Sequence, residues 1–556
     1  MEKEINSIAG QPAEHMEVPD QATKKVIFAA SVGTVFEWYE FTLYGALAAV
    51  IALNFFSGLD PSTGFIFALL IFAVGFIMRP VGAVVFGRIG DKLGRKKTFM
   101  ITVIIMGIST VIVGLLPTYN QIGIWAPLLL ITMRMIQGLA LGGEYGGAAT
   151  YVAEHSTSKN RGLNTSWISA TGTLGLLLAF AVIMISRWLT GDEFNEWGWR
   201  IPFLFSLLLL LFSIKIRKGM DESPAFKKMQ KEKTLSKSPL RDTFLDPTNI
   251  KRLLIAFFGI CGGMTCAYYI AVLYPTFFLT QILKVDPQIA NSVVTISLIA
   301  GIPMFLFSGW LSDRIGRKKT LLIGFTLTAL VIFPIFKGVA YFANPSMVAS
   351  LEKTPIYLNL PTEEKCSFMF NPTGTRQFTK PCDLAKQALA NSGLSYTTVQ
   401  DANISNVSIT VGNTHIENFQ VGEEGYKETI AKITTNLKEN LAANNIPTEA
   451  NADEFRKGPV IALLIVLVWC GLFTLTPVAP ALLEMFPAKI RYTSMSFPYH
   501  FASGWVGGLL PTIAFAISIQ TGNIYFGLWY PVCWIVLSLF VCLIFFKETK
   551  NVDINK

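Results

Sequence analysis

An eleven-residue phrase occurs twice in this chain, and no other feature restricts its fold as much. Gly87-Arg88-Ile89-Gly90-Asp91-Lys92-Leu93-Gly94-Arg95-Lys96-Lys97 returns as Gly309-Trp310-Leu311-Ser312-Asp313-Arg314-Ile315-Gly316-Arg317-Lys318-Lys319. Gly, Asp, Gly, Arg, Lys and Lys recur at the same spacing, and each copy lies between two long apolar runs. A short basic loop repeated between apolar runs predicts two homologous helix bundles in a membrane.

A bilayer core about 30 Å thick needs about 20 apolar residues per helix. Twelve runs meet that length: 26–53, 63–87, 98–117, 122–151, 164–187, 201–217, 253–280, 289–311, 320–342, 458–484, 493–518 and 525–546. Hydrophobic residues make up 52% of the chain and charged residues only 15%, against roughly 25% in soluble domains. The net charge of +9 gathers in the short loops, so it reads as membrane orientation and gives no reason to expect a nucleic-acid partner. Both phrases, both termini and the linker 218–252 then face the cytoplasm. That linker holds nine Lys/Arg against five Asp/Glu and reads as a solvated joint with some attraction to anionic lipid. Glu2, Glu4, Glu14, Glu17 and Asp20 make the first residues too acidic for a signal or transit peptide. The first run is therefore expected to be an uncleaved helix.

A second repeat locates an insertion. Glu154 to Arg161 and Glu484 to Arg491 match in Glu, Lys and Arg spacing at an offset of 330 residues, whereas the basic phrase repeats at 222. The second half is thus 108 residues longer, and the polar stretch 343–457 fills the difference. The expected organisation is a cytoplasmic tail 1–25, a six-helix bundle 26–217, a cytoplasmic linker 218–252, helices seven to nine over 253–342, an extracytoplasmic insertion 343–457, helices ten to twelve over 458–546, and a cytoplasmic tail 547–556. Within the insertion, 384–392 and 423–445 have helical character and 404–421 alternates weakly like strands. It is either a small folded cap or largely without structure. Cys366 and Cys382 are its only cysteines. In an oxidising compartment they could close a loop worth about 3 kcal/mol; two independent thiols are the competing reading.

The paired phrases resemble the signature loop of the major facilitator superfamily, and Arg134-Met135-Ile136-Gln137-Gly138 resembles its fourth-helix motif. Glu37-Trp38-Tyr39-Glu40-Phe41 with Tyr44-Gly45, Arg79-Pro80-Val81-Gly82-Ala83, Gly142-Gly143-Glu144-Tyr145-Gly146-Gly147-Ala148, Gly198-Trp199-Arg200-Ile201-Pro202-Phe203 and Arg491-Tyr492-Thr493-Ser494 resemble the metabolite:H⁺ symporter family within it. The resemblance covers the twelve runs and stops at the insertion. It implies an all-α membrane protein of twelve helices in two pseudo-symmetric six-helix bundles. It also implies carriage of α-ketoglutarate, citrate, shikimate, or proline and betaine. Glu40 departs from the family's usual Asp at that position. The stretch after Lys547 leaves no room for the coiled coil of osmosensing members, which argues against an osmolyte.

Ionisable groups inside spans cost about 2.5–3.5 kcal/mol at mid-helix, so each is a candidate for function. Glu37 and Glu40 share one helical face. They and Glu144 are the proton-coupling candidates. Arg79, Arg134, Tyr44 and His500 are the cargo candidates, since a guanidinium grips a carboxylate with two parallel hydrogen bonds. Each has a structural alternative: neutralised pairs that fix helix packing, and for His500 a packed histidine. Trp38, Tyr39, Tyr268 and Tyr269 are further candidates to line a cavity. Asp91, Arg95, Asp313, Arg317, Glu154, Arg161, Glu484 and Arg491 sit at cytoplasmic helix ends and are expected to form ion pairs that close an inward gate.

The expected activity is proton-coupled import of a small polar metabolite, an organic anion such as a mono- or dicarboxylate, across the plasma membrane, the inner membrane in a bacterium, by a monomer. The alternatives are efflux by proton antiport, symport of a zwitterionic osmolyte, or a non-transporting receptor. No nucleotide-binding, zinc-protease or nucleophile-elbow motif is present in the sequence, so no enzyme, cofactor or metal is expected.

Overall fold

Each copy of the repeated phrase folds as the end of one long helix, a glycine, and the start of the next. Gly94 and Gly316 hold φ at +110° and +106°, a region that suits only glycine. A β-carbon at either would also collide with a carboxylate, Glu222 at the first and Glu548 at the second. The computed structural model describes residues 20–57, 61–369, 377–417, 419–421 and 425–554. Glu2, Glu4, Glu14 and Glu17 of the expected tail lie outside the described residues.

The helices of the first half are α1 (Asp20–Ala46), α2 (Ala48–Phe55), α3 (Pro61–Leu93), α4 (Arg95–Leu115), α5 (Trp125–Glu154), α6 (Arg161–Thr190) and α7 (Arg200–Lys218). The second half continues with α8 (Pro247–Val272), α9 (Pro287–Ile315), α10 (Arg317–Ala343), then α11 (Pro345–Lys353), α12 (Pro381–Asn391) and α13 (Tyr426–Ala443) of the insertion. The chain closes with α14 (Lys457–Met485), α15 (Ala488–Thr521) and α16 (Phe526–Phe545). Among the described residues nine helices are long and apolar enough to cross a bilayer, ten if the bent pair α1–α2, which turns by 60°, is one span. The sequence predicts twelve. The difference falls on α3, whose first turns hold side chains outside the described residues, and on α7, which carries Arg200, Lys215, Arg217 and Lys218. α7 still exposes a stripe of Leu204, Leu207, Leu208, Leu211 and Phe212, at the spacing of one helix face, as a lipid-facing helix would.

Local chemistry sets several helix starts. Asp246 and Asp286 precede Pro247 and Pro287, and each carboxylate accepts from the next two free backbone N–H groups. α15 widens into a π-type turn at Ala502–Gly507, a local defect often found beside functional sites.

The insertion adds a small sheet outside the all-α membrane fold. It contains a four-stranded sheet of β1 (Ile356–Pro361), β2 (Thr397–Asp401), β3 (Ser408–Val411) and β4 (Thr414–Ile416), in the spatial order β2-β1-β3-β4. β1 runs parallel to β2 and antiparallel to β3, and β3–β4 is a hairpin that turns at Gly412, with φ of +58°. α12 and α13 cover one face, burying Leu384, Leu389, Leu437 and Leu441 with Leu358, Leu360, Ile409 and Val411. Cys366 and Cys382 are joined as a disulfide, which ties the start of α12 to the preceding loop.

This cap sits on the second half of the chain. Tyr396 donates its N–H to Gly522 O at 2.7 Å and its hydroxyl to Ile519 O at 2.5 Å, while Lys386 Nζ reaches Gln520 O at 3.1 Å. Asn344 Nδ2 donates to Leu283 O, and Ala450 N donates to Lys284 O, both at 3.1 Å.

Candidate functional site

α1, α3, α5 and α6 of the first half and α8, α14 and α15 of the second surround a cavity. Glu37, Arg79 and His500 line it, with Trp38, Phe41, Phe76, Tyr145, Tyr268, Tyr269 and Tyr499. Arg79 lies over two rings, 4.4 Å from the Phe76 centroid and 5.1 Å from that of Phe41. Tyr145 and Tyr499 stack at 4.1 Å across the two halves of the chain.

The expected cargo group therefore divides. Arg79 and His500 line the cavity, whereas Arg134 and Tyr44 do not. Arg134 packs 4.1 Å over the Tyr44 ring and donates to Gln137 Oε1 at 2.7 Å, and Gln137 Nε2 donates to Thr110. The Arg134 guanidinium thus lies against Tyr44 of α1 and beside Gly75 of α3. The expected carboxylate group divides too. Glu37 lines the cavity; Glu40 is buried behind it; Glu144 pairs with Arg217 at 2.9 Å. Arg217, at the end of α7, also lies 3.6 Å over the Phe99 ring. Sequence reading passed over it because a basic residue at a cytoplasmic helix end is commonplace. Of the aromatic candidates, Trp38, Tyr268 and Tyr269 line the cavity, while Tyr39 donates its hydroxyl to Pro202 O at 2.7 Å.

The second constellation lies at the end that carries both repeated phrases. Asp91 accepts from the backbone N–H groups of Tyr492 and Thr493 at 3.1 Å, and from the Thr493 hydroxyl at 2.7 Å. Asp313 does the same for Gly162 and Leu163, both at 2.8 Å. Each repeated aspartate thus sits on the opening turn of a helix from the other half, where the helix dipole favours a negative charge. Close approach makes this possible: a β-carbon on Gly309 would lie 2.7 Å from Ser166 and 2.8 Å from Gly162 O. Arg491 Nη1 meets Glu154 at 2.8 Å and Arg161 Nη1 meets Glu484 at 2.6 Å, both pairs joining the halves. Arg317 bridges Asp313 at 2.7 Å and Glu484 at 3.0 Å, and Arg95 lies 3.6 Å from both Asp91 and Glu154. All eight side chains are buried.

Two members of this network escaped the sequence reading. Glu222 accepts from Arg95 N at 2.9 Å and Glu548 accepts from Arg317 N at 2.9 Å, so each caps the helix that follows its glycine. The signal that could have found them is a third repeat, Glu222-Ser223 against Glu548-Thr549.

A cavity between two repeated halves, with charges facing it and a buried ion network closing one end, defines a membrane carrier and not an enzyme. The chain matches the sequence family described as "Sugar (and other) transporter" over residues 26–242 and 443–556. It belongs to the major facilitator superfamily, in its metabolite:H⁺ symporter-like family. It is 35% identical to the proline/betaine transporter of Escherichia coli K12 over 57% of this chain and 65% of that protein. It is 36% identical to the shikimate transporter of the same strain over 57% of this chain and 74% of that protein. The fold matches the proton:xylose symporter XylE bound to 6-bromo-6-deoxy-D-glucose with a TM-score of 0.61, at 15% identity, over 96% of this chain and 98% of that one. The protein is a multi-pass membrane transporter of the bacterial inner-membrane kind.

Proposed function

We propose that this transporter is a proton-coupled symporter that imports a small zwitterion, a betaine or an imino acid such as proline. The observation that carries the reading is the lining of the cavity. Arg79 is its one guanidinium among the described residues, and seven of the residues around it are aromatic. A guanidinium takes the cargo's carboxylate. Aromatic faces take an ammonium, including a quaternary one that cannot donate hydrogen bonds. A dicarboxylate of the kind expected from sequence calls for a second guanidinium, and that expectation counted Arg134, which does not line the cavity. Proline/betaine and shikimate carriers are both among the relatives, and the aromatic cavity favours the former. The number of residues after Lys547 has no bearing on the cargo.

Glu37 is the proton site in this reading, because it is the carboxylate that lines the cavity. With Glu37 protonated, Arg79 and the cargo carboxylate neutralise each other and the cargo nitrogen rests among the rings. Glu144 and Arg217 neutralise each other behind it. The twelve apolar runs form two six-helix bundles that rock about the cavity. The buried network from Asp91 to Arg491 closes the cytoplasmic end, and the cap lies on the outer face. One copy of the chain suffices.

The test is uptake of labelled glycine betaine, proline and shikimate into proteoliposomes, with and without an inward proton gradient. Gradient-stimulated uptake of the two zwitterions is expected. Uptake of shikimate alone would return the reading to an organic anion, and uptake indifferent to the gradient would remove proton coupling.

A further inference from the structure

We infer that His500 is a specificity-determining cargo ligand, which with Arg79 clamps the substrate's carboxylate between the two halves of the transporter. This rests on the proposed zwitterion reading and adds the second hand that holds the cargo.

The imidazole lines the cavity and is 2% exposed, and among the described residues neither ring nitrogen has a hydrogen-bond partner. A buried polar side chain without a partner is costly, so evolution of a stable fold would replace it unless something fills the vacancy in use. His500 is held in place by its ring alone. It stands edge-to-face with Tyr499 at 5.1 Å and with Tyr145 at 6.5 Å, both near 90°. Aromatic neighbours thus flank the ring, while its nitrogens are left for a ligand. Among the described residues, His500 is the basic one that the second half of the chain contributes to the cavity wall. Arg79 is the basic residue from the first half. The two are brought together because α15 packs directly on α3: a β-carbon on Gly504, one turn beyond His500, would lie 2.7 Å from Phe76 O and 3.9 Å from Pro80, which adjoins Arg79.

A carboxylate has two oxygens and about four acceptor sites. Arg79 cannot saturate them all. An imidazole N–H from the opposite side can donate to the oxygen that faces α15. The cargo then joins α3 to α15, and these elements belong to different halves. Binding a carboxylate therefore draws the halves together around the cavity, whereas a quaternary ammonium without a carboxylate makes no such link.

The experiment measures equilibrium binding to the purified full chain in detergent, for glycine betaine and for choline, which keeps the quaternary nitrogen and lacks the carboxylate. Variants are His500→Phe, which keeps a ring for the stacking partners, and His500→Gln, which restores one donor. We expect His500→Phe to weaken betaine binding roughly 10- to 100-fold, the range for one hydrogen bond to a charged group, with choline binding changed less than about twofold. His500→Gln should recover part of the loss. Equal weakening of both ligands would mean a packing role and would overturn the clamp. So would an unchanged betaine affinity. If wild-type protein binds neither glycine betaine nor proline but does bind shikimate, the zwitterion reading fails; the clamp then survives only if His500→Phe weakens shikimate by the same factor. If it binds none of the three, both inferences fall.

Discussion

Arg161 Nη1 lies 2.6 Å from Glu484 Oε1, although 323 residues of chain separate them. Both are buried, and Glu484 also takes Arg317 at 3.0 Å. One carboxylate therefore neutralises two guanidinium groups from different halves of the molecule.

Replacing that carboxylate leaves two buried cations with less compensation. Breaking a buried ion pair costs about 3–5 kcal/mol, and here the cost falls on the conformation that buries it. Glu484→Gln is expected to shift the population toward a cytoplasm-open state. Ser312 is fully buried at this contact, so Ser312→Cys in a background without other free thiols reports the opening. Its alkylation rate should rise at least about tenfold; an unchanged rate would count against the gate.

Arg79→Lys keeps a charge and loses the planar fork. Cargo carboxylates should bind about 1.5–3 kcal/mol more weakly, measured as Kd. Retained affinity would assign Arg79 to packing against Phe41 and Phe76.

Glu37→Gln keeps the shape and removes a titrating group. Gradient-driven accumulation should vanish while exchange of labelled for unlabelled cargo persists, since a neutral side chain lets the loaded carrier move. Normal accumulation would pass the proton site to Glu144 or Glu40.

Arg456 N donates to Phe342 O at 3.0 Å, so the two ends of the insertion are adjacent. Deleting 345–455 with a short linker should leave a protein that inserts in the membrane, because closing a short loop costs little. The turn at Gly522 then loses Tyr396 and Lys386 and should become a protease site. Failure to accumulate with every linker would make the cap part of the membrane fold. In the intact chain, Cys382→Ser removes the disulfide and should destabilise the cap by about 3 kcal/mol, seen as a lower melting temperature.

A cysteine at position 400 should be labelled by an impermeant reagent in intact cells, and one at Lys96 only after permeabilisation. The reverse pattern would invert the topology.

The membrane helices and the repeated turn between them were legible because they are written in local signals. Apolar runs set the helices, and the repeated Gly-Asp-Gly-Arg phrase marks where each pair turns. The insertion followed from the offsets of two repeats. Its helices α12 and α13 and the hairpin β3–β4 match the periodicity of 384–392, 423–445 and 404–421. β1 was not legible: it is six residues long, and its parallel partner β2 lies some forty residues on, joined through α12.

For the site, sequence determined which charged residues fall within apolar runs. It could not determine direction. Arg79 and Arg134 look alike as single cations in apolar helices, yet one faces the cavity and the other the Tyr44 ring. Helix rotation and packing decide that, and they depend on contacts between residues hundreds of positions apart. The same holds for Asp91 and Asp313, whose repeat was visible but whose partners, the opening turns of helices in the opposite half, exist only once the chain has folded.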